Sequence, residues 1–364
     1  MKISMFIGSL TGGGAERVLC NLANFLVEKG HQVTIITNVE DTGFYQLNPT
    51  IERYVLLYEK EKRNKLFNFI HWMKRLKKYV KQNSSDTYVV FLPLTTIMLL
   101  SLRKKISGKI FVSERNDPEK YSKLMKFLLR KKVKKADGAI FQTEEAKGWY
   151  VPYLRKTEST VIPNAVNPSF IIPEYVGERE KVIVGAGRLC LQKNFPLLIS
   201  SFAKIADKFP DYKLVIYGKG GLLSSLQELA KEKGIADKVE FPGYVPDMPE
   251  RLKKASMFVL SSNYEGMPNA LMEAMAVGLP VVSTDCGGGG ARFLIKDGEN
   301  GLLVPQKDVD AMAYAMEKIL SNDKFAKKLG ANARKLQEEL APDKIYGEWE
   351  EFILKITNYE REEE

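Results

Sequence analysis

The sequence predicts an α/β protein built from two doubly wound, Rossmann-like domains. Short apolar runs alternate with amphipathic helical stretches along the chain. Glycine-rich turns follow several of those runs. The rhythm halts at a proline-marked segment, Asn167 to Glu180, and then restarts. At 364 residues and 45% hydrophobic, the chain has enough material for two cores.

In the first domain, Lys2 to Ile7 reads as a buried strand, Ser9 to Gly14 as a glycine-rich loop, Ala15 to Lys29 as an amphipathic helix and Gln32 to Thr37 as a second strand. Further strands are expected at Val55 to Leu57, Tyr88 to Leu92, Lys109 to Ser113, Gly138 to Gln142 and Thr160 to Ile162. Their continuous apolar character implies a mostly parallel sheet covered on both faces. The domain is expected to span residues 1–170, with Asn167 to Glu180 as linker.

The restart gives strands at Lys181 to Ala186, Lys213 to Tyr217, Val239 to Pro242, Ala255 to Leu260 and Pro280 to Thr284, with a helix at Phe195 to Lys208. Helices at Val309 to Ser321, Asp323 to Leu340 and Asp343 to Tyr359 close the chain. The second domain is expected over residues 181–340. A last helix, residues 343–360, follows it, and the Glu-rich tail after Asn358 reads as disordered.

Composition narrows the function classes. Cys20, Cys190 and Cys286 have neither metal-ligand nor paired-disulfide spacing, which suits buried thiols in a reducing cytoplasm. No basic leader with a cleavage site and no apolar run of about 18 residues is present, so an unexported protein without a membrane span is expected. The net charge of +10 is concentrated in the first half. Arg103 to Lys135 carries 13 basic against three acidic residues, and a second basic run covers Lys60 to Lys81. Both interleave bases with apolar residues at helical spacing, as solvated helices or helices adhering to an anionic membrane surface would. No nucleic-acid motif accompanies the charge, and no nucleic-acid partner is expected.

The richest chemistry lies in Ser261 to Glu273. An offset of eight residues puts Glu265 and Glu273 on different helical faces at about 100° per residue. Pro268 suits a first helical position, so Glu265 should fall in the strand-to-helix loop and Glu273 two turns into the helix. Free N–H groups around Asn269, Ala270 and Leu271 would then suit an anion such as a diphosphate. A nucleotide sugar has matching parts: hydroxyls, diphosphate, hydroxyls.

Other loops fall at the same edge of the expected sheets. Gly187 to Asn194 places Arg188 and Lys193 after a strand, where cations could neutralise a departing diphosphate. Gly218 and the Gly243-Tyr244 turn also follow strands, and the glycines from Gly287 to Gly290 imply mobile backbone. In the first domain, Gly12, Gly13 and Gly14 open a helix without the G-x-G-x-x-G spacing or the acidic residue of a dinucleotide site. Asp308-Val309-Asp310 heads a helix and is better read as an N-cap region than as a metal motif, so no metal site is expected. His31 and His71 look structural or solvated.

These features together resemble the retaining glycosyltransferases of family 4, from the N-terminal glycine loop to about Pro305. The most specific part is Glu265-x7-Glu273 within Tyr-Glu-Gly-Met-Pro-Asn-Ala-Leu-Met-Glu. The Gly-Gly-Ala-Glu-Arg opening is similar to the subset that builds bacterial surface glycans on polyprenyl-diphosphate lipids. The resemblance implies a GT-B fold, two domains facing a cleft, with the last helix crossing back to the first. It implies that Glu273 meets the ribose hydroxyls and Glu265 the transferred sugar, with Gly266, Met267, Pro268, Asn269, Ala270 and Leu271 between them. Arg188 and Lys193 would hold the diphosphate near Gly218, Gly13 and Gly14 would approach it from the first domain, and backbone around Tyr244 would receive the base. The implied donor is a nucleotide sugar, UDP above all, carrying a hexose or N-acetylhexosamine and used without a further cofactor. The implied acceptor is a polyprenyl-diphosphate-linked glycan of capsule or O-antigen synthesis, reached from a peripheral position at the inner face of the cytoplasmic membrane. A nucleotide-sugar epimerase or a non-catalytic sugar-nucleotide scaffold would share much of this pattern. One departure is Arg115, which stands after the fifth strand where many relatives carry histidine.

Overall fold

The structure is a computed structural model that describes residues 1–41 and 45–358. The chain divides into two compact units, Met1–Ala165 together with the chain from Asp343, and Val166–Pro342. The Glu-rich tail and Tyr359, the last residue of the closing helix expected from the sequence, lie outside the described residues.

The first unit holds a parallel sheet of β1 (Lys2–Ile7), β2 (Gln32–Thr37), β3 (Glu52–Val55), β4 (Thr87–Phe91), β5 (Lys109–Ser113), β6 (Gly138–Phe141) and β7 (Glu158–Val161), ordered β3-β2-β1-β4-β5-β6-β7. Its helices are α1 (Gly14–Glu28), α2 (Lys65–Gln82), α3 (Pro93–Ser101), α4 (Lys123–Lys132) and α5 (Glu144–Leu154). The strand order reverses beside β1, so right-handed crossovers put α2 to α5 on one face. Leu76, Leu99, Leu129 and Tyr150, one from each of those helices, accordingly join Phe6, Tyr88 and Val90 in a single core.

The second unit has six parallel strands, β8 (Val182–Ala186), β9 (Lys213–Tyr217), β10 (Val239–Gly243), β11 (Met257–Leu260), β12 (Val281–Thr284) and β13 (Leu302–Val304), ordered β10-β9-β8-β11-β12-β13. Around them run α6 (Phe195–Ile205), α7 (Leu223–Glu232), α8 (Met248–Lys254), α9 (Asn269–Ala276), α10 (Gly290–Leu294), α11 (Val309–Leu320), α12 (Asp323–Arg334) and α13 (Leu336–Glu339). The single helix expected over Asp323 to Leu340 is therefore two, separated at Lys335. Asp308 caps α11 by accepting from the Ala311 N–H at 2.9 Å. Among the described residues no group of three His, Cys, Asp or Glu side chains is placed to hold a metal ion.

The last helix, α14 (Pro342–Thr357), packs on the first unit's sheet, on the opposite face from α2 to α5. Trp349 stacks on Phe91 and Phe352 meets Phe111 edge-on. His31 clasps this helix, since its Nε2 lies 2.8 Å from Glu350 and its Nδ1 lies 3.3 Å from the N-terminal ammonium. His71, in α2, stacks on Phe67. No helix among the described residues is long and apolar enough to cross a membrane.

Candidate functional site

In the second unit the site is assembled at the C-terminal edge of the sheet, where loops after β8, β9, β10, β11 and β12 gather. Gly187 and Gly218 have φ of +150° and +136°, conformations that favour glycine. A Cβ on Gly187 would strike the Lys193 side chain, and one on Gly218 would strike the Gly187 carbonyl. The two glycines thus let neighbouring strand ends close up and let Lys193 fold back across the edge. Gly218 also donates to the Gly243 carbonyl at 2.8 Å, extending the contact to the third strand end.

Lys193 then meets Glu265. Its Nζ lies 2.6 Å from Glu265 Oε1, and both side chains are largely buried. Ser262 donates to the same oxygen at 2.7 Å, and Gln192 reaches the other oxygen at 3.4 Å while donating to the Tyr264 carbonyl at 3.0 Å. Asn263 N–H to the Gln192 carbonyl (2.8 Å) and Ser261 Oγ to the Lys193 carbonyl (2.8 Å) stitch the two loops together. Lys193 is thus not a spare cation; Glu265 already takes one of the three N–H donors its ammonium can offer. Arg188 differs. Its side chain is exposed and, among the described residues, makes no hydrogen bond or ion pair.

Glu265 lies in the loop between β11 and α9, as the sequence suggests, and its N–H donates to the Gly287 carbonyl at 2.9 Å. Pro268 differs by one position, because it is the N-cap and α9 starts at Asn269. Glu273 is consequently the fifth helical residue, just over one turn in rather than two, and is 7% exposed. The N–H of Leu271 is not open to a ligand, since it donates to the Pro268 carbonyl at 3.1 Å. The anion seat expected over Asn269 to Leu271 therefore does not extend to Leu271. Gly266 and Met267 are buried under the turn, and Tyr244 stands more than half exposed after β10.

The glycines after β12 pack closely, Gly288 to Gly290 being buried. Gly288 and Gly289 take φ of +95° and +77°, and Gly290 is buried with its α-carbon against the Gly266 carbonyl and Pro268. Gly290→Ala therefore drives a methyl into backbone, an overpacking expected to cost about 2 kcal/mol or more. Gly221, which has open space at its Cβ position, is the control. Urea midpoints should fall for Gly290→Ala and stay near wild type for Gly221→Ala.

Cys286 sits beneath this turn with its thiol pushed up to about 12, first by burial and then by the nearby Glu265 carboxylate. It stays a protonated, inert thiol at neutral pH. Burial raises the Cys20 thiol to about 12 as well, while Cys190 is only half buried.

In the first unit, Gly13 is the N-cap of α1 and its N–H is occupied. Glu16 accepts from the N–H groups of Gly12 (2.8 Å) and Gly13 (2.9 Å) through Oε2 and from Ser9 through Oε1 (3.1 Å). A carboxylate of the chain itself fills the seat that the glycine loop would otherwise offer an anion. Gly14, the first residue of α1, lies outside that clasp. The same unit carries an exposed apolar stripe among bases. Leu66, Phe69 and Ile70 on the first turns of α2, with Leu124 and Phe127 on the first turns of α4, are exposed. Lys131 lies over the Phe127 ring at 4.9 Å.

A family model described as Glycosyltransferase Family 4 matches residues 12–170, and one described as Glycosyl transferases group 1 matches residues 171–336. The chain is 30% identical, over 98% of its length and 99% of the relative's, to the GalNAc-alpha-(1->4)-GalNAc-alpha-(1->3)-diNAcBac-PP-undecaprenol alpha-1,4-N-acetyl-D-galactosaminyltransferase of Campylobacter jejuni. The chain belongs to glycosyltransferase family 4. A second relative of this glycosyltransferase from Campylobacter jejuni, the N-acetylgalactosamine-N,N'-diacetylbacillosaminyl-diphospho-undecaprenol 4-alpha-N-acetylgalactosaminyltransferase, is 29% identical over 90% of the chain and 92% of the relative. The fold is GT-B. Sucrose-phosphate synthase from Thermosynechococcus elongatus superposes with a TM-score of 0.86 at 19% identity, covering 98% of this chain and 99% of that one. HepE from Anabaena, solved in complex with UDP, gives 0.79 at 16% identity, covering 98% and 100%.

Proposed function

We propose that this glycosyltransferase moves an N-acetylhexosamine or hexose from a nucleotide sugar, UDP-linked above all, to a polyprenyl-diphosphate-linked glycan of bacterial surface-polysaccharide synthesis, with retention of configuration. The observation that carries the donor half is the Lys193–Glu265 pair beside exposed Arg188 at the edge of the second sheet. The acceptor half is supported by the undecaprenol-linked substrates named for the two Campylobacter relatives. The second unit takes the donor: Glu273 accepts the ribose hydroxyls, Glu265 those of the transferred sugar, and backbone near Tyr244 the base. Arg188, Lys193 and the N–H of Ala270 face the diphosphate.

Transfer proceeds on one face of the sugar. The bond from the anomeric carbon to the phosphate oxygen breaks, the acceptor hydroxyl forms the new glycosidic bond, and its proton passes to the departing diphosphate. No histidine base is required. Arg188 and Lys193 stabilise the negative charge growing on the leaving group, and Glu265, held by Lys193 and Ser262, orients the sugar.

The test is a panel of nucleotide sugars with a short-chain polyprenyl-diphosphate glycan, in excess EDTA because no metal takes part. The expected product is the acceptor extended by one sugar whose anomeric configuration matches the donor's. An epimerised nucleotide sugar formed without acceptor, or binding without donor consumption, would contradict the proposal, and activity regained only with Mn²⁺ would contradict its metal-independent step.

The first unit is proposed to take the acceptor and to rest on the membrane through the starts of α2 and α4. Each Lys or Arg near an anionic surface contributes about 1 kcal/mol, screened beyond a Debye length. Co-sedimentation with phosphatidylglycerol vesicles should be strong at low salt, fall steeply with added salt, and weaken in Leu124→Ser/Phe127→Ser. Absence of binding at low salt would return these helices to ordinary solvated surfaces.

A further inference from the structure

Arg115 is a buried arginine of the first unit that the proposed chemistry leaves unused. It follows β5 at the C-terminal edge of the sheet and is 6% exposed. Its Nη1 donates to Asn164 Oδ1 at 3.0 Å, and that same oxygen is fixed by Gln142 Nε2 at 2.8 Å. Asn164 after β7, itself fixed by Gln142 after β6, therefore holds one edge of the guanidinium. Its carbon lies 5.0 Å from the ring centres of both Phe91 and Trp349. The neighbouring acid does not pair with it. Glu114 turns to the opposite face, where it accepts from Tyr121 Oη at 2.6 Å, from Tyr150 Oη, and from the backbone N–H groups of Arg115 (2.8 Å) and Asn116 (3.0 Å).

Those four bonds lock the peptide that aims Arg115, yet Nε–H and Nη2–H are buried and meet no acceptor among the described residues. Buried charged donors without acceptors are costly, and cation–π contact offsets only part of that cost. Burial also lowers the guanidinium to about 9, which still leaves it charged at neutral pH. A planar fork with two parallel N–H groups matches an oxyanion in bidentate fashion.

We propose that Arg115 is a substrate-binding residue whose Nε–H and Nη2–H receive a phosphate oxygen of a substrate diphosphate. The identity of that diphosphate rests on the transferase function proposed above; the existence of an oxyanion seat does not. Glu114, Gln142 and Asn164 are positioning residues for it.

Trp349 provides a local reporter. In a Trp72→Phe/Trp149→Phe background, inorganic pyrophosphate should change Trp349 emission saturably. Arg115→Met should weaken that response at least tenfold, and Arg115→Lys less. Equal affinity in the wild-type and Arg115→Met backgrounds would overturn the proposal. Replacing a buried guanidinium by an apolar chain of similar length need not destabilise the fold; if Arg115→Met does unfold, Arg115→Lys decides, because unchanged affinity there removes the need for the fork. Titrations with UDP and with a prenyl-diphosphate disaccharide then assign the source, and the KM of that substrate alone should rise in Arg115→Lys while kcat stays within a few-fold. A wild-type protein that binds pyrophosphate through Arg115 but transfers no sugar would refute the transferase proposal alone.

Discussion

Lys193→Ala lowers turnover by about 10²–10³-fold, the scale of removing one preorganised group from a developing anion, and it also lowers the thermal midpoint. The second effect has a separate cause. Lys193 Nζ is 2.6 Å from a buried Glu265 carboxylate, and deleting one partner of a buried pair leaves an uncompensated charge, at about 3 kcal/mol or more. Arg188→Ala provides the contrast. Its side chain is exposed and makes no ion pair among the described residues, so turnover should fall with the midpoint unchanged. Steady-state kinetics beside scanning calorimetry checks both. If Lys193→Ala kept turnover within a few-fold of wild type, leaving-group stabilisation by Lys193 would be wrong whatever happened to stability.

The sheets were legible because strands buried on both faces are written locally, as continuous apolar runs between glycine turns. The misses have physical reasons. β3 is an edge strand with Glu52 and Arg53 at its start, so its apolar signal begins only near Val55, where the sequence places it. β13 is three residues long and closely follows a turn at Gly298 to Asn300, too short for any period to show. At the site, Glu265, Glu273, Arg188 and Lys193 could be singled out from residue type and loop position. Their partners could not. Gln192 acts through contacts that span 72 and 73 residues, and periodicity carries no such information; Ser262 and Gly187 act at short range, but through side-chain and backbone directions that residue type alone does not fix. Glu16 is different, because a glutamate three residues after the N-cap is a local capping signal; its consequence, that it occupies the Gly12 and Gly13 N–H groups, needs the coordinates. Arg115 was visible only as a residue standing where histidine is usual.

The two glutamates of the second unit divide by task. Glu273 is buried in the first turns of α9 and is assigned the nucleotide, whereas Glu265 is held by Lys193 and Ser262 and is assigned the moving sugar. Replacing a buried carboxylate acceptor by an amide costs about 1.5–3 kcal/mol of a charged hydrogen bond, which is roughly 10- to 150-fold. The direct measurement is calorimetric titration of Glu273→Gln and Glu265→Gln with UDP, paired with single-turnover transfer from the UDP-sugar. UDP affinity should fall by that factor in Glu273→Gln, and stay near wild type with a transfer step slowed about 10²-fold in Glu265→Gln. Equal loss of nucleotide affinity in the two variants would contradict this division of tasks.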